Sequence, residues 1–167
     1  MTISMYQASV PVFKKLLSNL AAILEKAAAH AEAKRIDPAV LTQARLYPDM
    51  FPLARQVMIA TDNAKGCVAR LAGVEPPRYE DTETTFPELV ARLKKSIDYL
   101  STMQPAHIDG TEDKAISFKI GKHDINMKGQ DYLLHYATPN VYFHVTTAYA
   151  ILRHNGVEIG KKDFLGG

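Results

Sequence analysis

The residues of this chain with chemistry to offer are six histidines, one cysteine and a few amides on apolar stripes. The histidines are His30, His107, His123, His135, His144 and His154. Only His144 falls inside a markedly apolar helical stretch. Asn140 stands four residues before it, so on a helix the two side chains share a face. Gln56 lies beside Val57 on the core stripe of a second helical segment. This set supports two readings. The three groups can be satisfied polar residues of the interior, bonded to one another and to water. Alternatively they line a ligand pocket or a weak metal site, because neutral imidazole is both a metal ligand and a base near pH 7.

Other chemistries lack their motifs. There is no G-x-G-x-x-G, no H-E-x-x-H and no G-x-S-x-G. Gly156 to Lys162 (GVEIGKK) shares glycines and lysine with a phosphate loop. It is one residue short, lacks the Ser or Thr, and follows a helix rather than a strand. Cys67 is the lone cysteine and sits on an apolar helical stripe, which fits a core thiol better than a nucleophile. One cysteine permits neither an internal disulfide nor a thiolate metal cage. A formal net charge of +2 argues against nucleic acid and acidic membrane surfaces as partners. Lys14, Lys15, Lys94 and Lys95 read as solvated helix faces.

The elements that must position these groups are helices. Tyr6, Val10, Phe13, Leu17, Leu20 and Leu24 alternate steps of four and three, predicting a helix from about Ser4 to Ala33, with Pro11 bending its start. Met50, Leu53, Val57, Ala60, Ala64, Cys67 and Leu71 repeat the rhythm, with Asp49 as the expected N-cap and Gly73 as the stop. Phe86, Leu89, Leu93, Ile97 and Leu100 form a third stripe. Thr85 and Glu88 make a capping box there, and Pro87 occupies the first turn. From Gln130 to Asn155 the chain is apolar on most sides, which predicts a buried helix. Pro139 interrupts it: either Thr138 caps a new helix or one long helix kinks. Arg153 and His154 suit its C-terminus, and Asn155-Gly156 ends it.

Between the third and fourth helices the period changes to two. Ile116, Phe118 and Ile120 alternate with polar residues, Gly121-Lys122 turns the chain, and Ile125 and Met127 continue the pattern, predicting a hairpin packed on the bundle. Asp37-Pro38 opens a short helix through Gln43, and Gly73 to Thr84 is an acidic, proline-containing loop. The expected fold class is mainly all-α: a four-helix bundle with a short β-hairpin between helices three and four, one domain over residues 1–167. Antiparallel packing near 20° suits such stripes.

No apolar run reaches the roughly 20 residues of a membrane span. Lys14 and Lys15 break the N-terminal apolar pattern, so a signal peptide is not expected. A cytoplasmic location follows as the expectation, with no membrane and no nucleic acid among the partners.

The stretch Pro139-Asn-Val-Tyr-Phe-His-Val-Thr-Thr-Ala-Tyr-Ala-Ile-Leu-Arg-His-Asn-Gly156, ending Ile-Gly-Lys-Lys-Asp-Phe-Leu-Gly166, resembles the last helix of the DinB/YfiT-like superfamily. More narrowly, it resembles a bacterial family of unknown function within that superfamily. Tyr47-Pro-Asp-Met-Phe-Pro-Leu-Ala-Arg-Gln56 carries the same likeness. The resemblance implies a four-helix bundle, often dimeric. It implies a divalent metal held by three histidines, one from the second helix and two, four residues apart, from the last. Some members are thiol-dependent transferases or isomerases. By that resemblance His144 matches the second histidine of the last-helix pair, Asn140 the first, and Gln56 the histidine of the second helix. Only one imidazole of three remains. Amide oxygens are poor partners for Zn²⁺ or Ni²⁺ beside imidazole, and a catalytic zinc wants three good protein ligands. The expectation is therefore no tightly held cofactor, with His144 as a weak anchor for divalent zinc or nickel.

Two functions from different classes follow. One is a small-ligand-binding or structural module, acting as a homodimer. The other is a metal- or thiol-dependent transferase or isomerase using His144 as base or anchor, with Tyr142, Tyr149, Asp62 or Arg55 assisting. Tyr6, Tyr47, Tyr79 and Phe164 are further aromatics for a partner-binding surface.

Overall fold

The first helix begins where its capping chemistry allows. A computed structural model describes residues 2–167. Helix α1 spans Val10–Lys34, and residues 5–9 before it form turns rather than the expected extra helical length. The Ser9 hydroxyl donates to the Met5 carbonyl at 2.7 Å within those turns. Pro11 therefore lies in the first turn, where its missing N–H costs nothing, instead of bending a longer helix. Val10, Phe13, Leu17, Leu20 and Leu24 are all buried, as their spacing predicted. Arg35 closes the helix in the left-handed region. Asp37 caps the short α2 (Pro38–Thr42) by accepting from the Ala39 N–H at 2.9 Å.

Helix α3 (Leu53–Ala72) starts three residues later than its stripe suggested. Pro52 occupies the N-cap position, and Asp49 makes no cap. An upstream Pro-Asp-Met-Phe-Pro stretch cannot supply consecutive helical N–H groups, so the helix waits for Leu53. Gly73 ends it at φ 76°, a conformation that favours glycine. Helix α4 (Phe86–Ser101) carries the expected capping box: Thr85 accepts from the Glu88 N–H, and Glu88 accepts from the Thr85 N–H. A short α5 (Pro105–Ile108) follows.

Strands β1 (Ala115–Ile120) and β2 (His123–Lys128) pair antiparallel across Gly121-Lys122, with Ile120 opposite His123. Gly121 has φ 56° at the first turn position, the signature of a II′ hairpin turn. Ile116 is buried, and the Phe118 ring packs edge-on against Tyr132 at 5.4 Å, so the hairpin leans on the bundle.

The last long segment resolves the choice at Pro139 in favour of continuity. A single turn, α6 (Gly129–Asp131), leads into a π-helical stretch from Tyr132 to Ala137, and α7 (Thr138–His154) continues without a break. Thr138 has helical dihedrals and its N–H reaches back five residues to the Leu133 carbonyl. Widening the turn to an i→i+5 pattern accommodates the proline ring and its missing donor. Thr138 is therefore no N-cap. The expectation that this segment is buried all round is also corrected: Leu134, Tyr142 and Phe143 are 43%, 40% and 55% exposed. A final short helix, α8 (Lys161–Leu165), occupies the Gly-Lys-Lys stretch and packs on α1. Asn19 donates to the Phe164 carbonyl there at 2.9 Å.

The four long helices form a ring in which α1 neighbours α4 and α7, while α3 neighbours the same two. Chain-consecutive α1 and α3 therefore sit diagonally, as do α4 and α7, and the two long connections cross those diagonals. Cys67 is fully buried in the shared core, where burial pushes its thiol pKa far up. Among the described residues no helix is long and apolar enough to cross a membrane.

Candidate functional site

Gln56 and His144 meet across the α3–α7 interface. Both are buried, at 2% and 8% exposure. His144 Nδ1 lies 2.7 Å from Gln56 Oε1. Gln56 Nε2 donates to the Phe51 carbonyl at 3.0 Å, which commits the amide's nitrogen to the α3 approach and its oxygen to the imidazole. An amide oxygen only accepts, so Nδ1 carries the proton and Nε2 keeps its lone pair. Burial holds the His144 pKa below its ordinary value, so the ring is neutral near pH 7. Nε2 makes no hydrogen bond within the described residues and is not sealed from solvent. Phe143 meets the ring edge-on at 5.1 Å. The site is thus one neutral imidazole of fixed tautomer with one free acceptor.

Asn140 does not join them. Its Nδ2 donates to the Tyr136 carbonyl at 2.7 Å, one turn back on its own helix. That carbonyl lies in the widened turn before Pro139, so the amide serves the local backbone. The three expected residues are therefore one hydrogen-bonded pair plus a separate helix-stabilising amide. Among the described residues no group of three or more His, Cys, Asp or Glu side chains is placed to hold a metal ion. With the Gln56 oxygen taken by the His144 N–H, and Asn140 held back against its own helix through Nδ2, one imidazole and two amides do not fit a three-ligand divalent metal site.

The proposed assistants are mostly elsewhere. Arg55 pairs with Asp81, Asp62 pairs with Lys65 and Arg92, and the Tyr149 ring packs against Phe164. Tyr142, two positions before His144 on α7, faces another side of the helix. It borders a shallow apolar hollow of about 490 Å³ shared with Leu46, Met50, Pro139 and Phe143. Tyr47 and Phe51 are also exposed, at 66% and 55%.

A second polar centre escaped the sequence reading. Arg92 is 3% exposed, on the buried side of α4 between Leu89 and Leu93. Its Nε donates to Thr61 Oγ1 at 2.8 Å, and its outer nitrogens reach Asp62 at 2.9 Å, Asp81 at 3.0 Å and Glu83 at 3.1 Å. It also donates to the Glu80 carbonyl at 2.9 Å. Burial tends to raise the Asp81 pKa, but Arg55 and Arg92 outweigh it and hold the carboxyl below its usual value. The Tyr79 ring lies under three cations: Lys95 at 4.2 Å, Lys65 at 4.7 Å and Arg92 at 5.3 Å. The available signal was the acidic run Glu80-Asp81-Thr82-Glu83 preceding a basic residue on the inner side of the next helix.

A crystal structure described as a DinB family member protein from Shewanella denitrificans is 45% identical. The match covers 97% of this chain and 92% of that one, with a TM-score of 0.87. The fold is therefore DinB-like, a helical bundle with a small two-stranded sheet. The chain belongs to the family described as Domain of unknown function (DUF1993), whose model matches residues 5–165. No curated protein matches the chain.

Proposed function

We propose that this protein is a metal-independent, small-ligand-binding module that acts as a homodimer in the cytoplasm. The observation that carries this reading is the Gln56–His144 bond, which leaves Nε2 as a lone acceptor on a ring that meets Phe143 edge-on. A single acceptor beside the Phe143 ring, which also lines the apolar hollow on α7, suits a compact ligand with one hydrogen-bond donor and an apolar body. The exposed Tyr142 and Phe143 on α7, with Phe51 and Leu46 nearby in sequence to Gln56, offer apolar area for self-association. One fully buried thiol is compatible with a reducing compartment.

Three measurements test the reading. Protein purified without added metal carries well under one equivalent of zinc or nickel; a stoichiometric metal overturns it. A broad metabolite panel read by thermal shift yields hits that His144→Phe abolishes; no hit at all removes the ligand part. Light scattering reports a dimer that Phe143→Glu converts to monomer. A monomer at high concentration for the unaltered chain removes the dimer.

A second reading rests on the same neutral imidazole. Nε2 is in the correct state to accept a proton from a thiol, so His144 can act as a general base in a thiol-dependent transfer. Thiol-dependent turnover lost in His144→Ala would support it, and turnover indifferent to that change would remove it.

A further inference from the structure

On another side of the molecule, the last turns of α3, the loop of residues 73–79 and the outer edge of β1 enclose a groove of about 760 Å³. Among the described residues β1 pairs only with β2, so its other edge is unclaimed by the sheet. The two-residue turn makes Ile120–His123 the closing hydrogen-bonded pair. Bonded pairs alternate along an antiparallel ladder, so Ala115, Ser117 and Lys119 turn their N–H and C=O groups outward. Among the described residues those outward groups find no backbone partner, and all three residues line the groove.

Among the described residues the opposite wall makes no backbone bond to this edge. Pro76 and Pro77 line it and have no N–H to give. That wall is also held in place. Arg92 binds the Glu80 carbonyl, Asp81 and Glu83, and Tyr79 is clamped beneath the cations described above. The groove is therefore preformed, with one edge of unused strand backbone.

Its charge is one-sided. Lys65, Arg70, Arg78, Lys114 and Lys119 line it against only Asp62 and Glu75, a local excess larger than that of the whole chain. Asp62 is already shared by Lys65 and Arg92, each at 2.9 Å. Arg70 contacts the Tyr132 hydroxyl and the face of Phe118, neither of which neutralises it. Lys114 precedes the strand and Lys119 lies within it, about 16 Å apart at 3.3 Å per residue. Lys114 donates to the Leu71 carbonyl at 2.7 Å, which leaves its charge unneutralised, and Lys119 meets Asp124 at 3.6 Å only in an exposed pair of the weakly held kind. Cations strung along an edge match a row of carboxylates on an extended chain better than one compact anion.

We propose that this groove receives an extended acidic segment of a partner protein, which adds to the outer edge of β1 as a third strand. Backbone bonds to Ala115, Ser117 and Lys119 supply the alignment, and carboxylates meeting the basic walls supply the selectivity. The probe is a displayed library of random heptapeptides selected against the full chain at low salt. The expected result is enrichment of acidic sequences free of proline at alternate positions. For the best peptide, made synthetically, Lys119→Glu weakens binding at least tenfold and flattens its salt dependence. Ser117→Pro removes one outward N–H while leaving the backbone ladder intact and also weakens it at least tenfold, whereas Ser117→Ala, which loses only the hydroxyl bond to Asn126 at 2.8 Å, does not. Peptide addition moves the amide resonances of Ala115, Ser117 and Lys119, a readout that needs no variant to fold. Absence of enrichment, enrichment without acidic bias, or acidic peptides that leave those three amides unmoved would each overturn the proposal.

Discussion

At the residue scale, the informative feature is that an amide has fixed the state of an imidazole. Gln56 is itself fixed by the Phe51 carbonyl, so the proton on His144 can only sit at Nδ1. Gln56→Glu should place a carboxylate against that N–H and raise the His144 pKa by more than a unit, read by histidine resonances against pH. An unchanged titration would mean that the contact does not set the ring's state. Stability should respond to the same group. The folded-state pKa lies below the ordinary value, so the unfolded chain binds the proton more readily. His144 thus contributes stability in full above about pH 6.5, and loses it as pH falls toward the folded-state value. Denaturant midpoints of the unaltered protein should drop more steeply between pH 7.5 and 5 than those of His144→Phe; parallel curves would contradict this. The pairing of His144 with Gln56 was legible because both lay on apolar stripes. The detachment of Asn140 was not, since helical spacing places a side chain on a face without saying which carbonyl competes for it.

At the element scale, the junctions carry most of the information that periodicity misses. Stripes located the four long helices because burial on one face imposes its own spacing. Their starts were less legible: α1 and α3 begin later than their apolar positions suggest, since Pro11 and Pro52 decide where helical N–H donors can first be used. The π-helical stretch before Pro139 has no apolar signature of its own; it is the backbone's accommodation to one missing donor. Gly129, at the head of α6, shows how tight another junction is. A Cβ there would stand 2.0 Å from the Thr111 carbonyl oxygen, in backbone that cannot swing away. Gly129→Ala should therefore cost about 1–3 kcal/mol as an overpacking change, measured by chemical denaturation. A neutral effect would mean the hairpin's return strand can shift freely.

At the scale of the whole molecule, a buried cation organises the long loop between α3 and α4. Arg92 gathers carboxylates that are separated by some twenty positions of chain, and so ties residues 80–83 to the bundle. Arg92→Leu would leave Asp62, Asp81 and Glu83 facing one another with their shared partner gone. The expected loss is about 2–4 kcal/mol, at the modest end for a broken internal ion pair because these carboxylates are partly solvated. Calorimetry would detect it, and an unchanged melting temperature would show the loop to be independently held. Composition alone hid this arrangement, because an acidic loop and one arginine on a helix look like ordinary surface until the ring of helices brings them together.

Cys67 offers a use that its position makes available. Its sulfur is enclosed on every side at the centre of the bundle, with burial disfavouring the thiolate. A thiol-modifying dye can therefore reach it only when the helices part. The rate of dye attachment under native conditions should equal the fraction of molecules so parted multiplied by the dye's rate with a free thiol, and should climb with denaturant in step with global unfolding. The chain thus carries its own built-in clock for how often its interior opens, and fast attachment in plain buffer would reveal a breathing interior.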